Sequence, residues 1–230
     1  QLPQVQLDLM EAMAESGKPV VLCLMAGSDI DLSYAEEHFD AVMVLWYPGA
    51  EGGKAAARVL FGDVSPSGKL PVTFYNTLEE LPDFTDYAMK GRTYRYMTEN
   101  PLFPFGHGLS YTTFQYGNAS LNTSEIKDGE QVTLTIPVSN TGKYDGEEVV
   151  QVYLRHPGDK EGPSHALRAF KRVAIAKGAT NNVTIPLSKE NFEWFDTSTN
   201  TMRPIEGDYE ILYGGTSELK QLKSIPVTIK

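Results

Sequence analysis

The sequence predicts an α/β layer followed by an all-β sandwich. Through the first hundred residues, helix-spaced apolar positions alternate with short unbroken apolar runs, as when helices cover a parallel sheet. From Thr112 onward, period-two alternation and closely spaced turn residues replace that pattern. About seven strand-like stretches then follow over roughly a hundred residues, the number a β-sandwich needs. The expected organisation is residues 1–75 as the later, partial portion of an α/β sandwich domain, 76–111 as a wrapping connector, and 112–230 as the β-sandwich.

Each element has its own local reason. Leu2, Val5, Leu9, Ala12 and Met13 recur at helical spacing, Pro3 suits a first turn, and Gly17 is a stop. Residues 20–25 run apolar without alternation, which predicts a strand buried on both faces. A short helix over 32–38 follows, with Asp31 as its cap. Residues 41–46 repeat the unbroken strand pattern. Residues 51–61 are alanine-rich and end at Gly62, which predicts a third helix. Residues 70–74 predict a last strand, and the order of elements implies right-handed crossovers. Because the layer opens on a helix, its leading strands are expected upstream of this sequence.

In the second half, residues 131–138, 148–155, 169–175, 180–187 and 208–214 read as strands. Turn signals separate them at Asp128-Gly129, Asn140-Thr141-Gly142, Pro157-Gly158, Lys177-Gly178 and Glu206-Gly207. No cysteine pair supports an antibody-type sandwich, so the fibronectin type III-like variant is predicted. Residues 76–111 are irregular and too aromatic for a floppy linker.

Composition excludes several functions. The 230 residues carry a net charge of −10, with acidic groups scattered along the chain. Phosphate binding needs a basic face, so nucleic acid is excluded as a partner. No apolar run approaches the ~20 residues of a membrane-spanning helix. The single cysteine, Cys23, lies inside an apolar strand and reads as core; one thiol makes neither a disulfide nor a zinc cluster. The four histidines are isolated, with no metal spacing around them. No Gly-x-Ser-x-Gly elbow and no phosphate loop occurs. A chain opening on Gln1, with no signal-like segment, is expected to be a processed or excised piece.

Four blocks occur in a fixed order: Trp46-Tyr47-Pro48-Gly49-Ala50-Glu51-Gly52-Gly53, the run from Leu60 to Phe74, Gly91-Arg92-Thr93-Tyr94-Arg95-Tyr96, and Pro104 to Thr112. Together they resemble the C-terminal part of glycoside hydrolase family 3, the exo-acting β-glucosidases and β-xylosidases. The resemblance implies a retaining double displacement with an Asp nucleophile in an N-terminal barrel and a Glu acid/base, both upstream of this chain. Leu2-Pro3-Gln4-Val5-Gln6 looks like the segment that follows the acid/base loop. No catalytic residue is therefore assigned here, no cofactor is implied, and the chain alone is expected to be inactive. Residues 81–96 resemble the β-xylosidase branch more than the glucosidase branch. The implied partners are an oligosaccharide substrate and the missing barrel and acid/base loop, with a homo-oligomer possible and a secreted or periplasmic location. The rival reading is a non-catalytic accessory module that binds carbohydrate or a neighbouring domain.

The candidate substrate-binding residues are Trp46, Tyr47 and Glu51 after the second strand, Ser28 and Asp29 after the first, and Arg92 and Tyr94 in the connector. Ligands in open α/β sheets bind outside the carboxyl ends of strands, which singles out the first two groups. Each has a structural alternative: core filling for Trp46, helix-start stabilisation for Glu51, and turn chemistry for Ser28 and Asp29. For Arg92 and its neighbours the alternative is pinning of the connector. In the sandwich, Tyr153, His156, Trp194, Phe195 and Tyr213 are aromatics that can meet a sugar if exposed.

Overall fold

A computed structural model describes residues 2–127 and 130–230. The chain forms two compact units. One comprises Gln1–Val64, Val72–Thr93 and Met97–Pro104, and the other Ser65–Pro71, Tyr94–Tyr96 and Phe105–Lys230.

The first unit holds helix α1 (Gln4–Ala14), strand β1 (Val21–Leu24), helix α2 (Ser33–His38), strand β2 (Ala41–Val44) and helix α3 (Gly52–Leu60). Pro3 precedes α1 and its carbonyl accepts the Gln6 and Leu7 amides, while Gly17 takes a φ of 66° just past the helix. Asp31 accepts the Ser33 amide at 3.1 Å and the Ser33 hydroxyl, so it acts at the start of α2 from one residue further out than a standard cap. Strands β1 and β2 pair in parallel, Val21 against Ala41 through Leu24 against Val44. The expected burial on both faces is not met, since Val21 and Met25 are exposed. Among the described residues the sheet has two strands, so each keeps an unpaired edge.

Residues 70–74 do not form the expected third strand. Phe74 exchanges two backbone bonds with Phe103, at 2.9 and 3.3 Å, as an isolated bridge. In the other unit, Leu70 donates to His107 at 2.8 Å and accepts from Gly106 at 2.7 Å. Between these points Pro71 has no N–H to continue a ladder.

The second unit is a sandwich of antiparallel pairs. Its strands are β3 (Phe114–Tyr116), β4 (Ser120–Leu121), β5 (Glu125–Ile126), β6 (Val132–Asn140), β7 (Gly146–Arg155), β8 (Ala166–Ile175) and β9 (Thr180–Leu187). They continue as β10 (Glu193–Asp196), β11 (Thr201–Pro204), β12 (Gly207–Gly214) and β13 (Lys223–Ile229). One sheet runs β5-β13-β12-β7-β8, with the short β5 pairing in parallel on β13. In the other, β9 pairs one edge of β6 while β3 and β4 share the opposite edge. β10 and β11 form a separate hairpin. Val132, Leu134, Ile136 and Val138 of β6 are fully buried, with the half-buried Thr133, Thr135 and Pro137 alternating between them. They join Val150, Val152, Tyr209, Ile211 and Val227 in one core. This is the apolar face that alternation predicts. The Asp128-Gly129 turn lies outside the described residues.

The compact units divide the chain elsewhere than at 75 and 112, and the reason is local bonding. Lys69 Nζ donates to the Gly108 carbonyl at 2.9 Å and lies 3.4 Å from the buried Glu148 carboxylate of β7. Arg172 of β8 donates to Ser67 Oγ at 2.6 Å while paired with Glu147. Gln151 Nε2 donates to the carbonyls of Gly106 and Gly215, at 3.1 and 2.7 Å, and Ser65 and Ser110 share a bond of 2.9 Å. A Cβ on Gly108 would sit 2.1 Å from the Gly68 carbonyl oxygen, so that approach needs glycine. The Ser67-Gly68-Lys69 and Phe105-Gly106-His107-Gly108 blocks thus form a clasp on the sandwich strands.

Candidate functional site

Two loops leave the carboxyl ends of the parallel strands. The β1 loop carries Gly27, Ser28, Asp29 and Asp31, and the β2 loop carries Trp46, Tyr47 and Glu51. Tyr47 lies over the β1 loop: a Cβ on Gly27 would fall 2.1 Å from the Tyr47 hydroxyl, so glycine at 27 makes room for the phenol. Even so, Tyr47 remains 84% exposed. Trp46 holds a φ of 53°, a left-handed conformation costly for a large side chain, and its ring meets Phe74 edge-on at 6.3 Å. That strain turns the chain at the strand's end and sends Tyr47 outward.

Asp29 is the one carboxylate of this crevice with an unmet need. Its Oδ2 accepts the Tyr75 amide at 3.2 Å, while its buried Oδ1 has no hydrogen-bond donor. Burial raises its pKa, with Asp31 adding to the rise and the Tyr75 and Ile30 amides opposing it. An acceptor buried without a partner costs about 1–3 kcal/mol, a penalty that a hydroxyl donor from outside would relieve. Tyr75 was not legible as a contributor in the sequence. Its amide holds Asp29, and its hydroxyl accepts the amide of Thr93, which has a φ of 56°. No local pattern announces a backbone amide that serves a side chain 46 residues earlier.

The other candidates divide. Ser28 is exposed on the same β1 loop. Glu51 precedes α3, is exposed, makes no capping bond and pairs with Lys54 at 3.3 Å. Arg92 is turned to structural work: its Nε donates to the Ala88 carbonyl, and its Nη2 donates to those of Pro82, Asp83 and Asp86. Tyr94 belongs to the sandwich unit. Its hydroxyl accepts the Leu167 amide at 2.9 Å, and its ring stacks on Phe105 at 4.7 Å. Arg92 thus spends its guanidinium on its own loop, and Tyr94 spends its hydroxyl and ring within the sandwich unit.

Of the sandwich aromatics, Trp194 is only 3% exposed. Its indole N–H donates to Asp159 Oδ2 at 2.7 Å, and the Arg168 guanidinium lies over its ring. Tyr153 and Tyr213 are buried, and His156 stacks on Tyr209 at 4.4 Å; Phe195 alone of the five stands half in solvent. A buried ring cannot stack on a sugar. Among the described residues, no three His, Cys, Asp or Glu side chains are grouped to hold a metal.

A two-stranded parallel layer with an acceptor-bearing loop at its carboxyl end and, as a second unit, a β-sandwich define the class: an α/β domain joined in sequence to a fibronectin-like companion. Residues 1–111 match the glycosyl hydrolase family 3 C-terminal domain, and 148–217 match the fibronectin type III-like domain. The chain belongs to glycoside hydrolase family 3, as its C-terminal portion. It is 48% identical over all of its length to a xylan 1,4-β-xylosidase of Xylanibacter ruminicola, of which it spans 26%. Over 85% of the chain it is 36% identical to a periplasmic β-glucosidase of Salmonella typhimurium, spanning 27% of that protein. The structure of a β-glucosidase from Erythrobacter marinus superimposes with a TM-score of 0.84 at 34% identity, covering 97% of this chain and 30% of that one. The chain thus spans about a quarter to a third of the relatives it matches.

Proposed function

We propose that the protein to which this chain belongs is a retaining exo-β-glycosidase, acting on β-xylosides first and β-glucosides next. It releases single sugars from oligosaccharide ends outside the cytoplasm. The observation that carries this reading is the 48% identity, over the whole chain, to a xylan 1,4-β-xylosidase. Double displacement requires a nucleophilic carboxylate and an acid/base carboxyl about 5 Å apart. The strand-end crevice is better suited to binding: Asp29 holds one oxygen on a backbone amide, and its other, buried oxygen lacks a donor that a sugar hydroxyl reaching into the loop would supply. The catalytic pair is accordingly assigned upstream, and this chain contributes a wall of the sugar site through Asp29, Tyr47 and Trp46.

The test compares the longer protein with the 230-residue chain on aryl β-xylosides and β-glucosides. Turnover is expected from the longer protein, faster on the xyloside, and none from the chain alone. Turnover by the pure chain that vanishes when one of its own carboxylates is replaced would overturn the assignment. Within the longer protein, Asp29→Asn should raise KM for xylobiose by about tenfold, because it puts an amide donor where a hydroxyl needs an acceptor.

A further inference from the structure

Between Pro82 and Arg92 the chain folds a loop whose polar backbone faces inward and whose largest apolar side chains face out. Arg92 collects the carbonyls of Pro82, Asp83, Asp86 and Ala88 at 2.7 to 3.4 Å. Asp83 Oδ1 accepts the Thr85 amide at 2.8 Å and the Thr85 hydroxyl, and Asp86 Oδ1 accepts the Ala88 amide at 2.8 Å. The Asp86 amide closes a turn onto the Asp83 carbonyl at 2.9 Å. Gly91 supplies the φ of 75° that brings the chain back under Pro82. Eight bonds thus tie a short loop to itself, yet Phe84 is 93% and Tyr87 90% exposed.

An exposed aromatic on a floppy segment needs no explanation, but two on a loop already fixed in shape form a preorganised contact surface. Ordering is spent before any partner arrives, which lowers the cost of binding. Local charge narrows the partner. The stretch 79–90 carries Glu79, Glu80, Asp83 and Asp86 against the single exposed Lys90, and the Arg92 guanidinium is turned inward to carbonyls. Thr85 bonding keeps the Asp83 carboxyl below its ordinary pKa, hence ionised. An anionic ligand is repelled there, whereas the C–H face of a neutral pyranose can lie on an aromatic ring while its hydroxyls meet carboxylates.

We propose that the 82–92 loop is an aromatic platform for a neutral β-linked pyranose chain, a xylan backbone, separate from the strand-end crevice. The choice of xylan rests on the glycosidase reading above; the binding itself requires no turnover.

The test is affinity electrophoresis of the 230-residue chain in gels with and without soluble xylan. Phe84→Ala/Tyr87→Ala is compared with the unaltered chain; both side chains are almost wholly in solvent, so folding should survive, and circular dichroism checks it. Retardation by xylan, weakened at least tenfold in the double variant, is expected. An unaltered chain that xylan does not retard, or a folded double variant retarded equally, overturns the proposal. So does an unretarded chain whose self-association disappears in the double variant, because the rings then serve a protein contact. In the longer protein, Tyr87 should stay open to nitration by tetranitromethane, and protection there would show the platform is covered. Aryl-xyloside turnover should be unchanged by the double variant. Absence of any hydrolysis would sink the glycosidase reading, whereas absence of xylan binding sinks the platform.

Discussion

Acid should loosen the sandwich through His165. The imidazole is only 2% exposed, lies edge-on to Tyr94 and Tyr153 at about 5 Å, and has the Arg155 charge nearby. A carbonyl can only accept, so the 2.9 Å contact with Ser217 requires a proton on Nε2. Nδ1 is then free to accept from the Ser164 hydroxyl at 2.9 Å. Burial lowers the pKa of this neutral ring from 6.5 to about 4, with the Ser217 carbonyl opposing the drop and Arg155 adding to it. Below pH 6.5 the unfolded chain takes up a proton that the folded chain refuses. The contribution is therefore fully present above about pH 6.5 and is lost as pH falls toward 4. A gap of about 2.5 between the two values, at about 1.36 kcal/mol per pH unit, comes to roughly 3 kcal/mol.

Urea unfolding of the whole chain at several pH values, followed by the NMR signal of the buried Trp194 indole, measures this loss. His165→Gln keeps a donor for Ser217 but cannot titrate, and all other ionisable groups cancel in the comparison. The unaltered chain should lose about 3 kcal/mol more than the variant between pH 7 and 4. Parallel pH profiles for the two proteins would refute the reasoning.

Lys69→Met should destabilise the sandwich unit by about 3 kcal/mol, because it strands the Glu148 carboxylate, whose pKa burial already raises. Adding Glu148→Gln should recover much of that loss in the same urea titration. Gly108→Ala drives a Cβ into the Gly68 carbonyl and should cost about 1–3 kcal/mol, whereas Gly53→Ala, with nothing within 4 Å, should raise α3 stability by up to about 1 kcal/mol. Hydrogen exchange should run faster at Val21–Leu24 and Ala41–Val44 than in the core strands β6, β7 and β12, since a two-stranded sheet shields few amides. Equal protection in a monomeric sample would show that the first unit is self-sufficient.

What the sequence determined by itself was the character of each half and most of its elements. Apolar period sets helices at α1 and α3, unbroken apolar runs set β1 and β2, and alternation sets β6, β7, β9 and β12. All of these depend on neighbours a few residues away. The family was legible for the same reason, since its blocks are contiguous words of sequence. The strand β13 and the β10–β11 hairpin escaped notice because Pro226 interrupts the first and the second is only four residues a side.

Only the tertiary structure decided what the singled-out residues do. Residues 70–74 look like a strand, yet their partners lie near 103–107 and not in the β1–β2 sheet. Lys69, Gly106 and Gly108 stand in two separate sequence blocks, and folding alone makes them a clasp on the sandwich through Glu148 and Gln151. Sequence leaves Arg92 between sugar binding and pinning of the connector, and Trp194 between an exposed ring and a packed one; the four carbonyls on the guanidinium and the burial of the indole decide for the structural role in each. Asp29 acquires its importance from an amide 46 residues away that satisfies one oxygen and leaves the other bare. Pattern fixes which side of an element is apolar; which polar atom finds a partner depends on groups that folding alone brings within 3 Å.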